Sequence, residues 1–401
     1  MKDAFTSRFP TASVPVVSNS APTSGQTRIG VVGAGQLARM MGEVAHQVRV
    51  TITVLANDTA DAAVATCDHM MVGASSDEVA LRALADDVDV VTFDHELVDL
   101  ELLERLEADG VLLRPNTRAL RFAVDKVHQR RTLAEAGLPV PRFIVVNDAS
   151  DRRLETFLET LSHGPVVKSP RGGYDGRGVY FPDSIEATKN VVDDLSRNGE
   201  VLIEERLALL GEYAQQIARG VDGELAFYPV VESVQAEAIC VEVRYPSGLR
   251  SEVENEAAEL TMRVANLVQH VGMLAVEYFF TDRGLVINEL ALRPHNTGHW
   301  TIEGAVTNQF SQHLLAVSGQ ALGPVTPTSL GVVMVNVVGT SIPGSLDDAR
   351  GVPGVFVHDY GKSWREGRKL GHVTAIDGDV ALARVRAWES ARAYGTATKE
   401  T

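Results

Sequence analysis

Glu277 and Glu289 stand on either side of the tripeptide Asp282-Arg283-Gly284. Before the break the residues alternate, Val276, Tyr278 and Phe280 on one side and Ala275, Glu277 and Phe279 on the other, which is the period of a strand. A three-residue hairpin loop with Gly284 at a positive φ pairs Thr281 with Leu285 and places Glu277 opposite Glu289. Carboxylates directly opposed on one sheet face lie about 5 Å apart and repel one another. An exposed, solvated pair tolerates that repulsion. A divalent cation answers it, and magnesium shared between carboxylates and nucleotide phosphates is its common form.

Just beyond Glu289 come Arg293, His295, Asn296, Thr297, His299 and Trp300, with Pro294 and Gly298 forcing an irregular path. Either histidine alone would suit a structural role. Together with the carboxylates, this density of cationic and hydrogen-bonding groups fits a site for a small anion beside a metal.

Three further clusters carry possible chemistry. Lys168 ends an apolar strand and is followed by Gly172-Gly173-Tyr174-Asp175-Gly176-Arg177-Gly178, four glycines in seven positions. Such a backbone can close over phosphate oxygens, although a hairpin tip would read the same way. The loop lacks the Gly-Lys-Ser/Thr ending of a P-loop. Val201 to Glu205 is an apolar strand ending in Glu204 and Glu205, with Glu212 shortly after; these are nucleotide contacts or ordinary surface acids. Lys362, Arg368 and Lys369 form a basic cluster between glycines, read either as a phosphate site or as a solvated turn.

The elements that must position these groups read as α/β. Arg28 to Val32 is a short strand, followed by Gly33-Ala34-Gly35-Gln36 and a helix with Leu37, Met40, Met41, Val44 and Ala45 inward. That opens a doubly wound domain whose helix N-terminus can hold a phosphate. The spacing also satisfies a dinucleotide fingerprint, so a dehydrogenase is a rival reading, but the acidic residue expected after the next strand comes late, at Asp58. Val88 to Phe93 is a buried strand leading to Glu96, which is either a ligand contact at the strand's C-terminal end or an acid at the start of a helix over Val98 to Ala108. Thr117 to Ala136, carrying Lys126, reads as one helix, and Ser251 to Val271 as another. Val355 to Tyr360 reads as a strand, and the tail from about Ala387 as a helix. Units 28–118, 119–322 and 323–401 are expected, behind a disordered extension over 1–27 that is either native or the product of an upstream start codon.

The chain has 401 residues and a formal net charge of −16, from 37 basic and 53 acidic side chains. This balance opposes a nucleic-acid or anionic-membrane partner. No apolar run is long enough to span a bilayer. Cys67 and Cys240 are its only cysteines, too few for a disulfide scaffold, which fits the reducing cytosol.

Six blocks taken in order, GAGQLARM at 33–40, TFDHE at 92–96, RGGYDGRG at 171–178, AFYPVVE at 226–232, NELALRPHNTGHWT at 288–301 and GRKLGH at 367–372, resemble the ATP-grasp enzymes. Within them the chain is similar to the 5-(carboxyamino)imidazole ribonucleotide synthetases of purine biosynthesis. The resemblance implies an N-terminal Rossmann-like domain, a central ATP-grasp domain with a glycine-rich lid, and a small C-terminal domain. It implies ATP-dependent carboxylation of 5-aminoimidazole ribonucleotide by bicarbonate through carboxyphosphate, in a cytoplasmic homodimer. ATP would be held by Lys126, Lys168, the loop Gly172 to Gly178, Glu204, Glu205, Arg206, Leu207, Glu212, Gln235, Asn288 and Glu289. Glu277 and Glu289 would carry magnesium, or manganese in its place. Arg293, His295 and Asn296 would cradle bicarbonate and carboxyphosphate. Gln36, Glu96, Tyr174, Lys362, Arg368 and Lys369 would bind the ribonucleotide. Asp94 stands where the family carries glutamate, Leu292 where proline is usual, and Gln235 where histidine is frequent. A glycinamide ribonucleotide transformylase is the nearest enzymatic alternative, and a non-catalytic nucleotide-binding protein is the alternative from another class.

Overall fold

A computed structural model describes residues 25–172, 178–236 and 239–397, with the backbone of Val16–Ser18. Three sheets organise these residues. In the first, Thr27–Val32 lies between Val50–Ala56 and Val90–Phe93, all parallel, with His69–Val72 beyond Val50–Ala56. The helix Gln36–Ala45 buries Leu37, Met40, Met41, Val44 and Ala45 against it, the face its apolar spacing predicts. The expected disordered extension is corrected at one point: Val16–Ser18 pairs antiparallel with His69–Val72. The backbone groups on the open edge of that strand are a template for any extended segment within reach.

The second sheet is antiparallel, in the order Phe143–Val146, Val201–Glu205, Pro165–Lys168, Val179–Tyr180. The third has nine strands. The carboxylate hairpin, Gly272–Thr281 and Gly284–Ala291, forms one edge, and the path continues through Gly211–Arg219, Val231–Ala236 and Ile239–Tyr245. It then passes without interruption into Gly331–Val338, Lys369–Asp377 and Val355–Asp359. A chain change expected near residue 322 is therefore not a change of sheet. Phe310, Leu314 and Val317, on the helix Gln309–Ser318, are buried in the same core as Ile29 and Met41 of the first sheet.

Several boundaries differ from the sequence reading. The stretch 117–136 is two helices, Thr117–Val124 and Lys126–Glu135, broken at Asp125. Asp125 has extended backbone and its carboxylate accepts from His128 N, so it caps the second helix while ending the first. The helix from Ser251 ends at Val268, the strand from Val355 ends at Asp359, and the C-terminal helix begins at Val380.

Candidate active site

The hairpin carries a correction that matters for chemistry. Thr281 pairs with Gly284, not with Leu285, so the loop is the two residues Asp282-Arg283, with Gly284 following at φ +97°. A regular ladder from that turn would set Glu277 opposite Asn288. A bulge beside Glu277 adds one residue to the second strand and restores the pair Glu277↔Glu289. Asn288 is the extra residue. Its Oδ1 accepts from Lys168 Nζ at 3.2 Å and its carbonyl from Arg130 at 2.8 Å.

The carboxylates differ sharply in their surroundings. Lys126, at the start of its helix, reaches Glu289 Oε1 at 2.7 Å. Burial works to raise Glu289, but the charges of Lys126 and Lys168 override it and hold this carboxyl at about 2. Glu277 is pushed the other way, by burial first and then by Glu289 and Glu212, up to about 8; Lys126 and Arg293 oppose this without reversing it. Burial alone pushes Glu212 up to about 7. Beside them Lys168 Nζ lies 2.9 Å from Glu204, which also pairs with the buried Arg130. Burial opposes ionisation of Glu204, yet Arg130 and Lys168 keep it below the usual carboxylate range.

The loop after the hairpin is tied down at both ends. Glu96 accepts from Arg293 Nε at 2.6 Å and from Leu292 N at 3.2 Å. A proline at 292 would have no N–H to give, so this departure from the family pattern supplies a hydrogen bond, and Leu292 is buried at 1% exposure. His295 Nδ1 lies 2.8 Å from Thr297 Oγ1, which itself accepts from Gln216 Nε2 at 2.8 Å. Nδ1 also accepts from Thr297 N at 3.4 Å, so it carries no hydrogen, the threonine hydroxyl donates to it, and the imidazole proton falls on Nε2, which faces Glu277 Oε1 at 3.8 Å.

Asp94 caps the helix Gln36–Ala45, accepting from Gly35 N at 2.6 Å and Ala38 N at 3.0 Å. A buried carboxylate thus engages two of the donors at the helix N-terminus where the sequence suggests a phosphate, Gly35 N and Ala38 N. A Cβ at Gly35 would fall 2.7 Å from Asp94 Oδ2, so the glycine serves this cap rather than a dinucleotide. Lys362, from the C-terminal unit, donates to Gln36 Oε1 at 2.7 Å across the gap between units.

These groups open onto one cavity of about 1040 Å³. Its walls include Gln36, Glu96, Lys126, Lys168, Gly172, Glu204, Glu205, Arg206, Leu207 and Glu212. They continue through Gln235, Glu277, Asn288, Glu289, Arg293, His295, Asn296, Lys362, Arg368 and Lys369. Gly178 is not on the wall; its carbonyl accepts from Ser169 N at 2.8 Å, at the base of the glycine loop. Gly173, Tyr174, Asp175, Gly176 and Arg177 lie outside the described residues. Sequence reasoning missed Arg130, Asp125 and Gln309, and the capping role of Asp94. Arg130 had a weak signal, four residues after Lys126 on the same helical face.

The architecture and the carboxylate and lysine cluster are those of the ATP-grasp enzymes. Consistently, residues 131–310 match the ATP-grasp domain family, 26–124 the ribonucleotide synthetase preATP-grasp domain, and 332–386 the phosphoribosylaminoimidazole carboxylase C-terminal domain. The chain is 40% identical over 369 residues to an N5-carboxyaminoimidazole ribonucleotide synthase of Mycobacterium tuberculosis, covering 90% of this chain and 86% of that one. The corresponding protein of Corynebacterium ammoniagenes is 38% identical over 381 residues, 91% of each. Among solved structures, the synthetase from Thermus thermophilus superposes with a TM-score of 0.84 at 30% identity, covering 93% of this chain and 100% of that one. An Aspergillus clavatus synthase in complex with ADP and 5-aminoimidazole ribonucleotide gives 0.82 at 27%, covering 92% and 98%. The chain belongs to the N5-carboxyaminoimidazole ribonucleotide synthases, ATP-dependent ligases of purine biosynthesis.

Proposed function

We propose that this cavity carboxylates the exocyclic amine of 5-aminoimidazole ribonucleotide with bicarbonate, consuming ATP and passing through carboxyphosphate. The observation that carries the reading is the meeting, in one cavity, of two separate cationic clusters with the Arg293-to-Asn296 loop. Lys126 and Lys168 suit the phosphates of ATP. Lys362, Arg368 and Lys369 suit the phosphate of the ribonucleotide, as arginine can grip such a group bidentately while lysine adds a point charge. Gly172 and the rest of the glycine loop, with Glu204 to Leu207, Glu212 and Gln235, would complete the nucleotide site, and Gln36, Glu96 and Tyr174 the ribonucleotide site.

The donor set fits a hard divalent cation. Glu277 and Glu289 are opposed oxygen ligands, and burial together with the neighbouring carboxylates forces the Glu277 carboxyl upward, a penalty that a cation between them would relieve. Among the described residues no group of three or more acidic, histidine or cysteine side chains could hold a metal. Two carboxylates leave the remaining positions to phosphate oxygens, which is magnesium's habit; manganese has the same oxygen chemistry. When bound, the ion would supply charge neutralisation to the phosphates. The chain's own residues would do the rest. Lys126 and Lys168 would draw charge from the γ-phosphate as a bicarbonate oxygen attacks it and ADP departs. Arg293, His295 and Asn296 would then hold the acyl phosphate. The Nδ2 of Asn296 is a buried donor with no partner among the described residues, ready for an anion oxygen. The substrate amine would attack the carboxyl carbon, forming the N–C bond as phosphate leaves and the amine gives up a proton. Catalysis of this kind is alignment and charge neutralisation away from water.

We place the enzyme in the cytosol as a homodimer, divided into units 28–118, 119–322 and 323–401. Both cysteines are free and buried, as suits a reducing compartment, and no described helix is long and apolar enough to cross a membrane. Phosphate release from ATP, with and without aminoimidazole ribonucleotide and bicarbonate, tests the reading. Turnover that requires both supports it, and turnover indifferent to the ribonucleotide refutes it.

A further inference from the structure

Gln309 is fully buried and spends its whole side-chain amide on the anion loop. Its Oε1 accepts from His295 N at 2.8 Å; its Nε2 donates to His295 O at 2.8 Å and lies 2.9 Å from His299 Nδ1. Rotating the amide would set its oxygen against the His295 carbonyl and its NH2 against the His295 N–H, so the orientation is determined. An amide nitrogen donates only, and both its hydrogens are then committed. His299 Nδ1 must be the acceptor, which leaves the ring's hydrogen on Nε2. Gly298 is where the approach is closest, since a Cβ there would fall 2.2 Å from Gln309 Oε1.

The ring is held in place as well as in tautomer. It stacks on His372 at 4.9 Å between centroids and tilts against Phe310 at 5.7 Å. Burial, with His295, Lys369, His358 and Arg293 adding to it, keeps its basicity well below that of an ordinary histidine. The ring lies on the wall of the cavity, in the loop of Arg293 and His295. With Nδ1 engaged, Nε2–H is the one hydrogen-bonding group it has to offer there.

The geometry points to His299 as a further substrate-contacting residue, whose Nε2–H donates to an anionic oxygen of bicarbonate and of the acyl phosphate formed from it, with Gln309 as the positioning residue that keeps the hydrogen on Nε2. This rests on the anion site proposed above and adds a role to it. A neutral imidazole suits the task, because it stabilises oxygen charge without offering a readily lost proton to an acid-sensitive acyl phosphate.

Two measurements decide it. Long-range ¹H–¹⁵N correlation of histidine-labelled enzyme, with the His299 signal identified as the one missing from His299→Asn or His299→Gln, should show an Nε2–H tautomer. Its Nε2 resonance should move when bicarbonate is titrated in the presence of ADP and orthophosphate. In turnover, both variants should lose roughly ten- to hundredfold in kcat while the KM for ATP stays nearly constant, and should release more phosphate per ribonucleotide carboxylated. An Nδ1–H tautomer, a resonance indifferent to bicarbonate, or folded variants with unchanged kcat and coupling would overturn the assignment. The bicarbonate titration needs no ribonucleotide, so it still decides the question if the parent enzyme proves to carboxylate a different amine and the earlier reading fails.

Discussion

Glu289 is the carboxylate to which Lys126 is bound, and Asn288 beside it receives Lys168. Exchanging Glu289 for glutamine removes one of two negative charges from the proposed cation site and the partner of Lys126 together. We expect Glu289→Gln to abolish ATP turnover with the circular dichroism spectrum unchanged; near-parental ATPase activity would remove the hairpin from the mechanism. Glu212 offers a test through pH. In the folded chain its carboxyl keeps its proton to about 7, against 4.5 for an ordinary glutamate, because burial penalises the charge. Between those values the folded state binds more protons than the unfolded one. The stability this group contributes is therefore fully present below the lower value and is lost as pH rises through the upper one. Glu212→Gln should accordingly be more thermostable than its parent by a margin that grows from about pH 5 to about pH 8 and vanishes toward the acid end. Parallel Tm curves across that range would show that burial does not hold this proton.

At the scale of elements, the site is set by interruptions of regular structure. The bulge at Asn288 brings two carboxylates into opposition that the turn alone would have put out of register. The break at Asp125 starts a new helix at Lys126, whose N–H donates to the carbonyl of Pro170 beside the glycine loop. Removing the cap should loosen that first turn. Asp125→Ala is expected to cost about 1 kcal/mol in urea unfolding and to raise the KM for ATP, because Lys126 is the residue the cap positions. A variant destabilised by that amount with an unchanged KM would mean that Lys126 is held by Glu289 alone.

The whole molecule brings together groups that lie far apart in the chain. Gln36 and Lys362 are 326 residues apart and 2.7 Å from each other. The nine-stranded sheet makes this possible by running from the carboxylate hairpin into the C-terminal strands, so Lys369 and the connection carrying Lys362 and Arg368 between Val355–Asp359 and Lys369–Asp377 are anchored to the same sheet as Glu277 and Glu289. Glu242 fastens the junction: fully buried on Ile239–Tyr245, it binds Arg384 and Trp388 of the C-terminal helix. If Arg368 serves the ribonucleotide phosphate, Arg368→Ala should raise the KM for aminoimidazole ribonucleotide roughly ten- to hundredfold and leave ATP affinity nearly unchanged. Calorimetric titration with each ligand separates the cases, and equal losses for both would reassign the cluster.

What could be read from the chain alone was whatever depends on neighbours in sequence. Alternation around Glu277 marked a strand and its two faces, the spacing of Leu37, Met40, Met41, Val44 and Ala45 marked a helix, and Gly284 marked a turn, because side-chain period and backbone φ are local properties. The ordered blocks carried the family and with it most of the cavity wall. The bulge was not legible, since an extra residue in a ladder is defined only by the partner strand. The capping roles of Asp94 and Asp125 were not legible, because a cap is recognised by the N–H groups it meets, and Asp94 meets them 56 and 59 residues away. Gln309 carried no signal in the sequence. Its role as the clamp on His295 and His299 exists only once tertiary packing buries it against the loop, where each polar group must find its complement and the hydrogen-bond pattern has one solution.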